Sequence, residues 1–337
     1  MDAPIGYLAG PPVHEPGVGW VVRSHAGVRS VLGDARFVVP PVAQGDADGA
    51  LAWLRSSVAR FSNGTEHERR RAIALVEIGG LDTRRLREQA VQWTAGVLDR
   101  AGCEPIDVMA QLARRVPLGV LCGALGVGGK ELDGATDDVT AVAAAWHPGA
   151  GAEVRSRADA AVQRLTRLLG GTDEATANRI GVLVQACDAT AGLIGNALNL
   201  TLRLPPSRSP WPVEPILAET LRYDPPVWST RRQATAPAER DGHVIQAGTT
   251  VLLHLAAANR DPAVFADPHR FDPRCAEPEH LTFGYGPRPC PGGDHALALA
   301  AGVVQTVLAR CRLANPEVAF DPSPNLRIPS RLEVTCR

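Results

Sequence analysis

One ten-residue run, Phe283-Gly284-Tyr285-Gly286-Pro287-Arg288-Pro289-Cys290-Pro291-Gly292, constrains this chain more than any other feature, because the apolar stretch DHALALAAGVVQTVLAR follows almost at once. The spacing predicts a tight, glycine-punctuated loop running into a helix, with a cysteine just before the helix start. A helix N-terminus and free backbone N–H groups stabilise a thiolate, so Cys290 sits where a sulfur can stay deprotonated without water. Glycines at 284, 286, 292 and 293 let the backbone come close to the sulfur and to any flat group beside it. Phe283 would wall that group from solvent, and Arg288 stands two residues from the cysteine, ready for an anionic substituent. A structural cysteine that happens to precede a helix would not need this company.

The rest of the composition is that of an ordinary folded protein. The 337 residues are 45% hydrophobic and 21% charged, and 35 basic side chains balance 36 acidic ones, so no global field favours nucleic acid or an anionic membrane. The N-terminal residues show neither a charged leader nor an apolar span, which predicts a cytoplasmic, non-membrane protein. Seven cysteines (Cys103, Cys122, Cys187, Cys275, Cys290, Cys311 and Cys336) are scattered without a CxxC pair. Each of the six outside the glycine loop reads as a small buried hydrophobe.

Apolar residues recur every three or four positions in LREQAVQWTAGVLDRA and RADAAVQRLTRLL, which predicts amphipathic helices. The run from Thr172 to Leu204 is apolar nearly all round and reads as one long buried helix, ended by the prolines of PPSRSPWPVEP. We expect helices over about 65–225 and 292–312. Strands fall over about 17–40 and 227–257 and at the C-terminus. The long Pro- and Gly-rich run from Pro262 to Pro291 reads as a functional loop. The expected fold class is therefore mainly α with small β-sheets, as one domain over residues 1–337.

The cysteine run resembles the ligand signature of the cytochrome P450 family, Phe-x-x-Gly-x-Arg/His-x-Cys-x-Gly, and matches it at every defined position. Upstream, Glu219-Thr220-Leu221-Arg222 resembles that family's Glu-x-x-Arg helix, with acid and base on one helical face. Asp267-Pro268-His269-Arg270-Phe271 resembles the segment that supplies a second arginine, which implies a Glu219/Arg222/Arg270 triad. His67 and Arg71 resemble the family's His-x-x-x-Arg propionate contacts, and Arg232 resembles another, with Arg231 as the competing choice. Ala258 to Pro262 is family-like and given a structural role. The likeness runs from about Gly19 onward and is most specific after residue 180. The resemblance implies heme b (iron protoporphyrin IX) lying between the long central helix and the cysteine loop. It makes Cys290 the iron ligand and Phe283, Gly284, Arg288 and Gly292 its surroundings.

On the oxygen-binding side the chain departs from the pattern. Asp188 aligns with the family's relay acid, but Ala189 stands where a threonine is usual. Thr190 is one residue on, and 100° of helix rotation carries it off the heme face. The competing reading of Asp188 is a buried acid paired with an arginine, and Cys187 reads as packing. Candidate pocket walls are Val227, Trp228, Ser229, Trp53 and Trp146, the last beside His147, although core packing competes for each tryptophan. The chain is shorter than the family's usual members, with reduced connections before the central helix and between Leu204 and Glu214.

The resemblance implies a monomeric monooxygenase or oxidase that takes O2, a small organic substrate of secondary metabolism and electrons from a ferredoxin-type donor. That donor would dock near Arg288, Arg231 and Arg274. No flavin or nicotinamide fingerprint is present. Ala189 leaves room for coupling, cyclisation or desaturation in place of hydroxylation, and for a peroxygenase, dehydratase or isomerase as the alternative. A heme sensor without turnover is the third reading.

Overall fold

The computed structural model describes residues 8–41, 49–146, 149–204, 211–274, 279–315 and 317–337. The chain divides into two compact units, each assembled from segments far apart in sequence.

The first unit comprises Met1–Pro40, Gly192–Cys290 and Leu313–Leu332. Its centre is a five-stranded sheet in the order β1 (Val13–Glu15), β2 (Gly19–Val22), β8 (Thr250–His254), β5 (Ser229–Ala234) and β3 (Phe37–Val38). β2 runs parallel to β8 with Val21 opposite Leu252, while β5 is antiparallel to β8 with Arg231 opposite Leu252. A separate hairpin joins β6 (Ala238–Arg240) to β7 (His243–Ile245). Val22, Val251 and Leu253 bury one face of the sheet against Val28, Val31 and Leu32 of α1 (His25–Gly33). That helix interrupts the strand region expected over about 17–40, because Ser24 caps it by accepting the Gly27 amide at 3.1 Å. Leu255–Ala258, at the end of the second expected strand region, turns into a short helix, α10, capped by His254. α9 (Val213–Tyr223) begins within a residue of the expected start at Glu214, immediately after Pro212.

The second unit comprises Pro41–Ala191, Pro291–Arg312 and Glu333–Arg337. It is a helical bundle of α2 (Ala50–Ser57), α3 (Gly64–Gly79), α4 (Thr83–Ala101), α5 (Arg115–Ala124), α6 (Leu132–Ala144), α7 (Ala152–Leu169) and α11 (Gly293–Arg310). The three- and four-residue spacing of α4 and α7 buries Leu86, Ala90 and Leu98 on one and Ala158, Ala161, Val162 and Leu165 on the other. A small sheet of β4 (Ile106–Asp107), β10 (Glu333–Cys336) and β9 (Cys311–Leu313) joins the chain's end to its middle.

The long helix α8 (Glu174–Thr201) contributes its residues to Ala191 to this unit and the remainder to the first. Among the described residues it is the one helix long and apolar enough to cross a membrane, yet 72% of its apolar window is buried, as expected for a core helix. Only Gly170 to Asp173 separate it from α7, the reduction read from the sequence. Among the other cysteines, Cys122, Cys187 and Cys311 are buried as expected, whereas Cys103, just past the Gly102 cap of α4, is exposed; Cys275 lies outside the described residues.

Candidate functional site

In the first unit the candidate residues converge on the cysteine loop. Glu219 and Arg222 lie one turn apart on α9 and pair in two places, Nη2 to Oε1 at 2.6 Å and Nε to Oε2 at 2.8 Å, with both side chains buried. Arg222 spends its remaining donors on backbone carbonyls, those of Pro268 at 2.9 Å, Arg270 at 2.8 Å and Asn259 at 3.2 Å. The expected triad needs correction here. Arg270 gives its carbonyl, not its guanidinium, which is exposed and pairs with Asp272 at 3.3 Å and Asp267 at 3.9 Å. The reason is that Glu219 is already engaged: beyond its two bonds from Arg222, Oε1 accepts the Asp272 amide at 2.9 Å, and the Arg270 side chain finds Asp272 and Asp267 instead. Arg274 holds the Asp272 carboxyl well down, to about 2.

Asn259 passes this order to the loop. Fully buried, it accepts the Leu281 amide at 2.7 Å and donates to Thr282 Oγ1 at 2.8 Å and to the Leu221 carbonyl of α9 at 3.2 Å. From there the loop closes on itself, with the Gly284 amide donating to Leu281 at 2.8 Å and the Cys290 amide to Phe283 at 2.6 Å. Gly284 and Gly286 have φ of 79° and 70°, and a Cβ at Gly286 would fall 2.9 Å from the Gly33 Cα, so the turn demands glycine. Cys290 emerges exposed at the end of this braced loop. Phe283 and Arg288 are half-buried beside it in sequence.

Arg232 is 7% exposed on β5, where Nη1 donates to the Arg231 carbonyl at 2.8 Å and to Thr230 Oγ1 at 3.4 Å; Arg231 points to solvent. Of the proposed walls, Val227 and Trp228 are half-buried. Trp228 packs 5.0 Å from His254, while Ser229 is 1% exposed with its hydroxyl unpartnered.

In the second unit, the basic run of α3 splits by direction. Arg69 and Arg70 both bind Glu174 at the start of α8, at 2.7 Å each, while Arg71 forms no ion pair among the described residues. His67, one turn before Arg71 and so on its face, is buried. Gly292 caps α11, and a Cβ there would meet nothing within 4 Å. Trp53 and Trp146 pack on the apolar core of this unit, with Trp146 5.1 Å from Phe61. His147 lies outside the described residues.

Along α8, Val182, Gln185, Ala186 and Ala189 form a stripe left open among buried neighbours. Ala189 is therefore on the accessible face and Thr190, 1% exposed with an unpartnered hydroxyl, is not. Asp188 borders the stripe and accepts from Arg114 Nε at 3.2 Å, each side chain 26% exposed. Arg114 lies where the turn Met109–Ala113 meets α5; the doublet Arg114-Arg115 before an apolar run was the overlooked signal. Burial and the Asp188 carboxylate push the Cys187 thiol up to about 12, which leaves it inert packing.

These residues suit a heme. Among the described residues no three His, Cys, Asp or Glu side chains gather into a chelating set, whereas a macrocycle-held iron needs a single axial donor such as an accessible thiol. The glycine-framed Cys290 offers that donor, and Arg232 and Arg288 of the same unit offer cations for carboxylate substituents.

Known proteins agree. The family model described as "Cytochrome P450" matches residues 213–334. The chain is 30% identical over 344 residues to cytochrome P450 monooxygenase PikC of Streptomyces venezuelae, covering 90% of this chain and 80% of that protein. It is 29% identical over 322 residues to 20-oxo-5-O-mycaminosyltylactone 23-monooxygenase of Streptomyces fradiae, covering 85% and 76%. The crystal structure of CalO2 shares the fold, with a TM-score of 0.85 at 24% identity over 97% of this chain and 93% of that one.

Proposed function

This chain belongs to the cytochrome P450 family and is an enzyme of that oxidoreductase class, and from that premise we propose a heme-thiolate monooxygenase with Cys290 as axial ligand. The observation that carries the reading is the exposed Cys290 thiol at the end of a loop locked from α9 through Asn259 to Phe283. A bound heme would supply the redox chemistry by which O2, two electrons and two protons give one oxygen atom to an organic substrate and the other to water.

The chain's own residues then have separate tasks. Cys290 Sγ would hold the iron. His67, Arg71, Arg232 and Arg288 would hold the propionates by charge-assisted bonds, and Phe283 would keep water from the sulfur. Asp188, held by Arg114, carries protons inward by exchanging that partner for water. Ala189 brings no hydroxyl to the open stripe, so a substrate hydroxyl or an ordered water completes the relay. Electrons come from an external ferredoxin-type donor, since the chain carries no flavin or nicotinamide fingerprint.

The substrate class we favour is a small secondary metabolite. Its support is the similarity to PikC, to the tylactone 23-monooxygenase and to a mycinamicin IV hydroxylase/epoxidase. Ala189 on the open face favours one second reading, a peroxide-driven or non-oxygenating enzyme, which turnover with peroxide alone or without oxidant would establish. The test of the primary reading is the reduced, CO-bound spectrum. A Soret band at the red-shifted thiolate position, lost in Cys290→Ser, is expected; an unshifted band in the unaltered protein, or a shifted band that survives the substitution, overturns it.

A further inference from the structure

The turn Ala59–Phe61, between α2 and α3, is fastened to α8 from both sides. The Ala59 amide donates to Asn178 Oδ1 at 3.0 Å and Asn178 Nδ2 donates to the Ser57 carbonyl at 3.1 Å. Val58 packs so closely that a Cβ on Gly181 would lie 2.9 Å from its Cγ1. The backbone that carries Arg60 is thus set by α8, at the end where the open stripe begins with Val182.

Arg60 is half-buried and, among the described residues, forms no ion pair and no hydrogen bond; its one contact of note is with Phe61, whose ring centroid is 5.7 Å from its Cζ. The other arginines of this region are engaged. Arg55 donates to the Ala145 carbonyl, Arg69 and Arg70 bind Glu174, and Arg179 binds Glu77. Burial pushes the Arg60 pKa down, yet a guanidinium does not give up its proton in a protein, so a half-buried cation is kept here without a protein acceptor among the described residues. Trp146, whose ring centroid is 5.1 Å from that of Phe61, is 5% exposed and its Nε1 has no hydrogen-bond partner. A buried indole N–H and a half-buried guanidinium thus lie near one aromatic ring without a protein acceptor. A buried donor without a partner is costly to keep, and the cation beside the same ring points to a ligand that satisfies both.

We propose that Arg60 is a specificity-determining residue that captures the carboxylate of an organic-acid substrate, whose apolar body lies along Phe61 and the open stripe of α8. Trp146 Nε1 is left for a second polar atom of the same ligand. The proposal rests on the monooxygenase reading for the fate of the bound acid, and its capture can be read without turnover. A guanidinium offers a carboxylate two parallel bonds, and the neighbouring ring favours a ligand that is apolar away from that group.

The test uses the heme-loaded protein with dodecanoate, phenylbutyrate and the methyl esters of both, followed by equilibrium dialysis and thermal shift. The acids should bind at least about tenfold tighter than their esters, the span expected of one hydrogen-bonded charge. Arg60→Gln should remove that preference while leaving ester binding unchanged, and should melt no lower than the unaltered protein because it deletes an unpaired cation. Arg60→Lys should keep part of the preference, and Trp146→Phe should alter affinity without abolishing it. Equal binding of acid and ester, binding of neither, or a preference that survives Arg60→Gln overturns the proposal. So does loss of heme from Arg60→Gln with the acid preference intact, which would assign the guanidinium to a propionate. The CO spectrum of the same samples separates the two readings. A red-shifted band without acid preference sinks only the acid site, and an Arg60-dependent preference without that band sinks only the thiolate reading.

Discussion

Asn259 Oδ1 accepts the Leu281 amide at 2.7 Å, and through this bond the end of α10 fixes the first residue of the cysteine loop. The same side chain donates to Leu221 and Thr282, which also bond each other at 2.7 Å, so the Leu281 amide is the group that depends on Asn259 alone. Asn259→Ala should lower stability by about 1–3 kcal/mol, the cost of one orphaned buried donor. Urea unfolding checks the stability, and heme content per chain checks the loop. A loss below about 1 kcal/mol would show that the loop holds its shape without this brace.

The Glu219–Arg222 pair is more demanding, because its two charges are 2% and 5% exposed. Glu219→Gln leaves Arg222 as an uncompensated buried cation and should cost about 3–5 kcal/mol. Arg270→Ala should be nearly silent, because the carbonyl that Arg222 uses remains and the lost ion pairs are exposed. Melting temperatures of the two variants, measured side by side, distinguish this arrangement from a side-chain triad, in which both substitutions would be severe.

Acid should weaken the first unit through His254 and His280. Burial holds both imidazoles down, to about 4, against an ordinary value of 6.5. Below 6.5 the unfolded chain takes up a proton that the folded one refuses until about 4, so stability is complete above 6.5 and falls as pH drops through that window. Each histidine contributes a slope of at most about 1.4 kcal/mol per pH unit. His254 Nδ1 also caps α10 by accepting the Ala257 amide at 3.2 Å, a bond that protonation of that nitrogen would remove. His254→Asn keeps an acceptor at the cap without titrating, and should halve the slope in denaturation curves taken across this range.

What the sequence made legible follows from the range of the forces involved. α4, α7, α8 and α11 declare themselves because an apolar stripe repeats locally, and the cysteine loop because its glycines answer to a local backbone requirement. α1 was hidden behind its β-branched residues, and Ser24 was the cue that should have outweighed them. β4 could not be read, since Ile106 finds its partner at Val334 and nothing in either segment announces the other. The family resemblance placed Arg270 beside Glu219, but which donors reach the two carboxylate oxygens is settled only by packing. Arg60 was missed for the same reason: lacking a partner is a property of three-dimensional surroundings and leaves no spacing signal.

On α8 the Asp188 carboxylate is held by Arg114 and about a quarter exposed, the arrangement of a proton carrier that must let go of one partner to reach another. Asp188→Asn should cut coupled turnover by about 100-fold, within the range of a single acid–base group, and raise the fraction of reductant lost as peroxide. Arg114→Gln should act in the opposite sense on proton supply and change the solvent isotope effect without removing activity. Turnover and peroxide yield per electron check both, and an Asp188→Asn enzyme as well coupled as the parent would move the relay elsewhere.

Thr190 offers the sharpest contrast with its neighbour. Its side chain is buried with Oγ1 unpartnered, so the isosteric Thr190→Val removes a hydroxyl that satisfies nothing and should leave turnover unchanged while stabilising the fold by up to about 1 kcal/mol. Ala189→Thr adds a hydroxyl on the partly accessible stripe and should lower peroxide loss or shift the product ratio. The pair of variants reads the rotation of the helix directly. If Thr190→Val impaired turnover while Ala189→Thr had no effect, the heme-facing side of α8 would be the one that carries residue 190, and the relay would have to be rebuilt around its hydroxyl.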